Sequence, residues 1–295
     1  MALREAIAAD RDPRRPRALT WDVYAASVED RWRAILADAN GERAVDTFLQ
    51  ENPSLLPVGS VAGYHGVWLD AVFSQPPLRG LETRVPDFLW IERNSAEVLV
   101  TCAEIEHPEK LWFNATGTPT ADLTQAIDQL AEWRAWFERE PNENFFDTYR
   151  LPRDWLRQRR FVQHFVLIYG RNSEFSSDGR TRHKGKAPSL NKKRAAMQRA
   201  DEVYMTYDRL RPSASLHNLV TVRVEKSALN VVSVPPTFET GEHSIRLAQQ
   251  TVGLEDSILR LSASLPAERV SYLIGRVRFW RSCPETGQTY IPGSE

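Results

Sequence analysis

Cysteine is nearly absent: Cys102 and Cys283 are the two in 295 residues. Their wide separation gives no disulfide framework and no zinc-ligand spacing, and it fits a reducing cytoplasm. Long apolar runs are missing as well. The stretch from Phe161 to Tyr169 is strand-sized and interrupted by Gln163 and His164, far short of the roughly 20 residues a membrane span needs. The opening Met-Ala-Leu-Arg-Glu-Ala-Ile has an early acid and no apolar signal core, so secretion is not expected. Net charge is lacking too, since 38 Lys and Arg against 39 Asp and Glu leave −1. The chain as a whole therefore has no pull on a polyanion. Its 42% hydrophobic and 26% charged residues are those of an ordinary globular protein, enough for one large domain or two small ones.

Against that plain background one pattern carries chemistry. Residues 84 to 92 and 96 to 106 read in period 2 as two apolar strands that can pair as a hairpin. The first contains Pro86-Asp87-Phe88. The second ends in Glu104-Ile105-Glu106, where Glu104 and Glu106 share one face and Ile105 the other. With Asp87 beside them, three carboxylates converge. Such a cluster repels itself unless a divalent cation neutralises it, and hard oxygen ligands suit Mg²⁺ or Mn²⁺. The expected chemistry is phosphodiester hydrolysis by a metal-activated water. The plainer reading is that these acids are solvated at strand ends.

The neighbouring pieces resemble the Shedu family of anti-phage defence nucleases, whose domain belongs to the PD-(D/E)xK restriction-endonuclease-like superfamily. The ordered matches are Phe48-Leu49-Gln50-Glu51-Asn52-Pro53-Ser54-Leu55-Leu56 after an opening helix, the Pro-Asp-Phe strand, the Glu-Ile-x-x-Pro strand end, Gln125-Ala126-Ile127-Asp128-Gln129-Leu130, Ile168-Tyr169-Gly170-Arg171 and Thr206-Tyr207-Asp208-Arg209-Leu210. The resemblance implies a metal-dependent DNA endonuclease. Asp87 and Glu104 would bind the cation, Glu106 would bind it or deprotonate water, and Gln129 would position that water. Gln125 and the first-helix Glu42 are secondary candidates. One departure stands out: the family usually places Lys two residues after the catalytic Glu, where this chain has Glu106. A carboxylate accepts a proton or binds metal but cannot polarise water as an ammonium does. Lys110, six residues past Glu104, lies too far along an extended strand to substitute. A nuclease-fold module that binds DNA or regulates without cutting, and a structural assembly component, are the rival readings.

The expected fold is α/β, a restriction-endonuclease-like core of four or five central strands in a mixed sheet flanked by helices, with a C-terminal α+β extension. The organisation reads as a helical extension over 1–39 that starts flexible at its Arg-Asp-Pro-Arg-Arg-Pro-Arg segment, a nuclease-like domain over 40–212, and a lobe over 213–295 for packing or oligomer contact. Helices are expected from Thr20 as cap, over 41–51, over 122–139 and over about 191–201, and strands over 67–73, 161–169 and 203–206, with 220–224 and 229–234 as a β pair. Residues 141–160 read as a connection, 244–264 as helix broken near Gly253, and 272–280 as strand or helix. Between 179 and 199 stand Arg180, Arg182, Lys184, Lys186, Lys192, Lys193, Arg194 and Arg199 with no acid among them. Such a patch suits phosphate contacts to DNA, or is a solvated basic loop. The expected partners are DNA and further copies of the chain, with no membrane, in the cytoplasm.

Overall fold

A computed structural model describes residues 2–38, 41–176 and 186–283. Its elements run α1 (Ala2–Arg11), α2 (Trp21–Ala37), α3 (Glu42–Glu51), β1 (His65–Val67), β2 (Ala71–Ser74), β3 (Phe88–Arg93), β4 (Glu97–Ile105), α4 (Ala121–Arg139), α5 (Asn142–Thr148), α6 (Arg153–Gln158), β5 (Arg160–Ile168), α7 (Ala187–Met197), β6 (Glu202–Met205), β7 (Val220–Glu225), β8 (Ala228–Ser233), α8 (Ser244–Gln250), β9 (Thr251–Val252), α9 (Leu254–Arg260) and α10 (Ala267–Ser282).

The strands form one mixed sheet in the order β6-β5-β4-β3-β2-β7-β8-β9, with β1 paired on β3. β4 is central, antiparallel to β3 and parallel to β5. A strand covered on both faces must be apolar on both, and Val98 through Ile105 are buried without interruption. Alternate side chains feed two cores. Leu89, Val100, Cys102 and Leu167 pack beneath Leu123, Ala126 and Leu130 of α4. Phe88, Ala103, Ile105 and Ile168 pack beneath Trp32 of α2 and Val45 and Phe48 of α3. The fold is thus α/β with a mixed sheet flanked by helices, as the patterning implies, and among the described residues its nine strands exceed the four or five expected because β1, β7, β8 and β9 join the same sheet.

Several local expectations are corrected. The strand over 67–73 is two strands, because Leu69 and Asp70 both take positive φ and turn the chain between β1 and β2. Residues 141–160 contain α5 and α6, and the helix near 191 begins earlier at Ala187; of the two readings left open for 272–280, the helix is the one observed, within α10. Thr20 precedes α2 without a side-chain cap bond. The N-terminal segment is not loose: α1 docks through Asp10, which is 8% exposed. Its carboxylate accepts bonds from Arg276 Nε and Nη2 at 2.7 and 2.8 Å, Trp280 Nε1 at 3.0 Å, Tyr272 OH at 3.1 Å and Thr240 Oγ1 at 3.0 Å. Arg269 of α10 adds a bond to the Pro16 carbonyl at 2.6 Å.

Candidate functional site

The β3–β4 register pairs Phe88 with Ala103, which sets Asp87 one step further on, opposite Glu104. Asp87 is pinned from both sides. Its Oδ2 accepts the Ile105 amide at 2.8 Å, and its carbonyl accepts the Gln75 amide at 2.8 Å. Glu104 is 7% exposed. Burial raises the pKa of both carboxyls, and the repulsion of neighbouring acids adds to it: Asp46 and Glu42 act on Asp87, and Asp87 and Glu106 act on Glu104. The two form a close pair that resists carrying two charges.

Glu106 continues β4 past its last paired residue, with its amide donating to the Ile168 carbonyl at 3.1 Å and its carbonyl accepting Tyr207 OH at 2.5 Å. Its carboxylate meets Lys110. The strand ends at Ile105, and a turn closed by the Lys110 amide on the His107 carbonyl at 3.0 Å folds the chain back, so that Lys110 Nζ ion-pairs with Glu106 Oε2. The expectation that Lys110 is out of reach assumed an extended chain, and the turn overturns it. Burial works against the Lys110 charge, but the Glu106 contact outweighs it and its pKa is raised. Two features hold this loop. The buried Glu174 carboxylate accepts the Trp112 and Phe113 amides at 2.8 and 2.9 Å. Gly170, with φ +57, leaves room for the Lys110 carbonyl, which a Cβ there would meet at 2.6 Å.

Glu42, Asp46 and Gln50 follow one another at i, i+4 and i+8 on α3 and so share a face. With Arg43, Thr47, Gln75, Asp87, Ile105 and Arg223 they line a cleft of about 430 Å³. Burial raises the pKa of Glu42 and of Asp46, with Glu106 next in weight for Glu42. Asp46, Gln50, Gln75 and Arg223 were not singled out by sequence. The polar stripe at turn spacing after Glu42 was the available signal for the first two. Gln75 is marked by a positive φ of 47 on a non-glycine residue, a conformation that costs energy and gathers at functional sites. A cavity of about 490 Å³ under the N-terminal segment holds none of the candidate residues.

The remaining candidates are placed as follows. Gln129 is half-buried on α4, on the side of the sheet shared with Glu104, and its Oε1 is buried with no hydrogen-bond partner among the described residues. Gln125 is exposed. Arg180, Arg182 and Lys184 lie outside the described residues. Lys186, Lys192 and Arg199 are exposed, Arg199 standing 3.9 Å from Glu202. Lys193 and Arg194 are committed to the protein itself. Lys193 Nζ donates to the Gly117 carbonyl at 2.7 Å above the Phe113 ring, and the Arg194 guanidinium lies 5.2 Å from Trp112 and 4.7 Å from Phe175.

Among the described residues no group of three His, Cys, Asp or Glu side chains is placed to hold a metal ion. The acids nearest that role are the pair Asp87 and Glu104. The pair nevertheless fits Mg²⁺ or Mn²⁺, because its donors are hard oxygens, its mutual repulsion is what a cation relieves, and Mg²⁺ is commonly held by one or two carboxylates with water in its other positions.

The model of the family described as Shedu protein SduA, C-terminal, matches residues 39–210, more than half of the chain. The chain belongs to this family. The matched segment contains α3, the Asp87–Glu104 pair, the Glu106–Lys110 contact and Gln129, and it stops before β7. No curated protein matches the chain. Among the described residues no helix is long and apolar enough to cross a membrane.

Proposed function

We propose that the chain is a metal-dependent DNA endonuclease acting in anti-phage defence. The observation that carries this reading is the close Asp87–Glu104 pair within the segment matched by the Shedu family, with Asp87 lining the cleft of about 430 Å³. Asp87 and Glu104 would hold the Mg²⁺ or Mn²⁺. Bound there, the cation supplies positive charge to the phosphoryl oxygens and makes water more acidic. Glu106 is the proton acceptor: as the water oxygen bonds to phosphorus, its proton passes to the Glu106 carboxylate, and the bond from phosphorus to the leaving sugar oxygen breaks as that oxygen takes a proton from solvent water. Lys110 holds that carboxylate in place through the ion pair and puts an ammonium beside the site, the charge that family members carry two residues after the Glu. Gln129 has a carbonyl oxygen with no hydrogen-bond partner among the described residues, suited to orienting water by a hydrogen bond.

The test is cleavage of plasmid and linear DNA by the purified chain with Mg²⁺ or Mn²⁺, alongside Asp87→Ala and Glu104→Ala. Loss of cleavage in both variants with unchanged melting temperature is expected. Full activity in either variant refutes the assignment. A second reading, DNA binding without cutting, is favoured by the ion pair that already occupies Glu106. Mn²⁺ binding by the parent chain with no cleavage under any metal selects it.

A further inference from the structure

We propose that Arg223 of β7, beyond the matched family segment, binds a phosphate of duplex DNA at the acidic cleft. This rests on the cleft being the place where DNA is handled. Glu42, Asp46 and Asp87 make one side of it strongly acidic, and acids alone would repel a polyanion. The cations that line it are Arg43, exposed on α3, and Arg223.

Arg223 is held in a definite position. The parallel pairing of β2 with β7 sets it beside Ser74, whose Oγ lies 3.4 Å from Arg223 Nη2. The same nitrogen donates to Gln50 Oε1 at 3.0 Å, and Gln50 Nε2 donates in turn to Asp46 Oδ2 at 2.7 Å. The Gln50 amide is therefore oriented by a carboxylate at one end and presents its oxygen to the guanidinium at the other. Thr221 Oγ1 fastens β7 to α3 through the Gln50 carbonyl at 2.6 Å. Both acceptors of Arg223 are neutral. Among the described residues it makes no ion pair within 4.0 Å, and its charge stands in the cleft within electrostatic range of Asp46. Ser74 touches Arg223 and the next residue, Gln75, is bonded through its amide to Asp87. One step of backbone thus links the cationic and acidic sides. A guanidinium with a fixed fork suits the paired oxygens of a phosphate, and its position would hold a backbone phosphate in the cleft that Asp87 also lines.

A purely structural Arg223, latching β7 onto α3, would use the same bonds. The experiment separates the two roles with Arg223→Gln and Arg223→Lys in the full chain. Binding of two unrelated duplexes is measured in chelator across salt concentrations, melting temperature is recorded, and cleavage by the parent chain in Mn²⁺ is scored in parallel. The expected result is that Arg223→Gln weakens both duplexes roughly tenfold or more and lowers the log–log salt slope by about 0.9, one phosphate contact, at a melting temperature near that of the parent. Arg223→Lys keeps the slope and loses part of the affinity. It is also the variant read if Arg223→Gln does not fold, and parental affinity there overturns the proposal. An unchanged slope in Arg223→Gln, with or without a fall in melting temperature, overturns it as well, as does a parent chain that binds no duplex. Cleavage by the parent with an unchanged Arg223→Gln slope removes Arg223 and leaves the nuclease reading. No cleavage by the parent with a reduced slope removes the nuclease reading and leaves the phosphate contact.

Discussion

Asp10 is the place where one substitution should cost the fold most for its size. Its carboxylate takes donors from Arg276, Trp280, Tyr272 and Thr240, all at 2.7 to 3.1 Å and all more than 220 residues away in sequence. Asp10→Ala removes the carboxylate from a guanidinium that is itself 12% exposed. Breaking a buried pair by deleting one partner costs roughly 3–5 kcal/mol, and for a chain of this size that lowers the melting temperature on the order of 10 °C. The assay is thermal unfolding followed by near-UV circular dichroism, which reports on the tryptophan packed at the joint. A melting temperature within about 2 °C of the parent in Asp10→Ala would falsify the idea that this carboxylate fastens α1 to α10.

The other predictions concern the site. Glu106→Gln should depress cleavage by roughly a hundred- to ten-thousandfold for loss of a general base, Glu106→Lys should keep or raise it, and Lys110→Ala should lower it; parental rates in Glu106→Gln and Lys110→Ala make Glu106 and Lys110 bystanders. Gly170→Ala should lower cleavage and melting temperature together, since its Cβ would displace the Lys110 carbonyl; unchanged values for both would show that the loop yields freely. The metal-free chain should lose stability as pH rises. Asp87 and Glu104 have raised values in the fold, so the folded chain binds more protons than the unfolded one, and the stability they confer is full below the ordinary carboxylate range and lost as pH climbs through the raised values. Mn²⁺ should therefore raise the melting temperature more at pH 8 than at pH 6, and Glu104→Gln should flatten both effects; a Mn²⁺ shift of equal size in that variant places the cation elsewhere. In the basic segment, Lys192→Gln should reduce the salt slope of DNA binding without affecting melting, whereas Arg194→Ala should lower the melting temperature because it empties a stack between Trp112 and Phe175; the reverse pattern would overturn that division.

The parts of the site that alternate along strands were legible in the sequence. Period 2 gave β3 and β4 to within a few residues, and with them the opposition of Asp87 and Glu104, because pairing register follows from the pattern of buried side chains. What a turn or a distant strand supplies was not legible. Lys110 depends on a reversal at His107 and on the room left by Gly170, neither of which has a periodic signature. Arg223 reads, like Thr221, as a polar residue alternating with valines, and only the pairing of β7 with β2 brings it to the cleft. Lys193 and Arg194 look solvated by composition, yet aromatic residues from the 112–113 and 175 segments claim them. The charged N-terminal segment hid its helix for the same reason, since the partners of Asp10 lie at the other end of the chain.

The seat of β7 beside β2 also decides where this chain can be cut. The family segment closes at residue 210, but the strand that completes the flank of β2 begins at Val220. Expressing residues 39–210 alone would leave the backbone amides and carbonyls of Ala71 to Phe73 facing solvent along a flat, fully apolar stretch. An open edge of that kind recruits strands from other molecules and drives aggregation. Aggregation of the isolated segment would report a severed sheet and leave the status of the Asp87–Glu104 pair untouched, so activity is best measured on the entire chain.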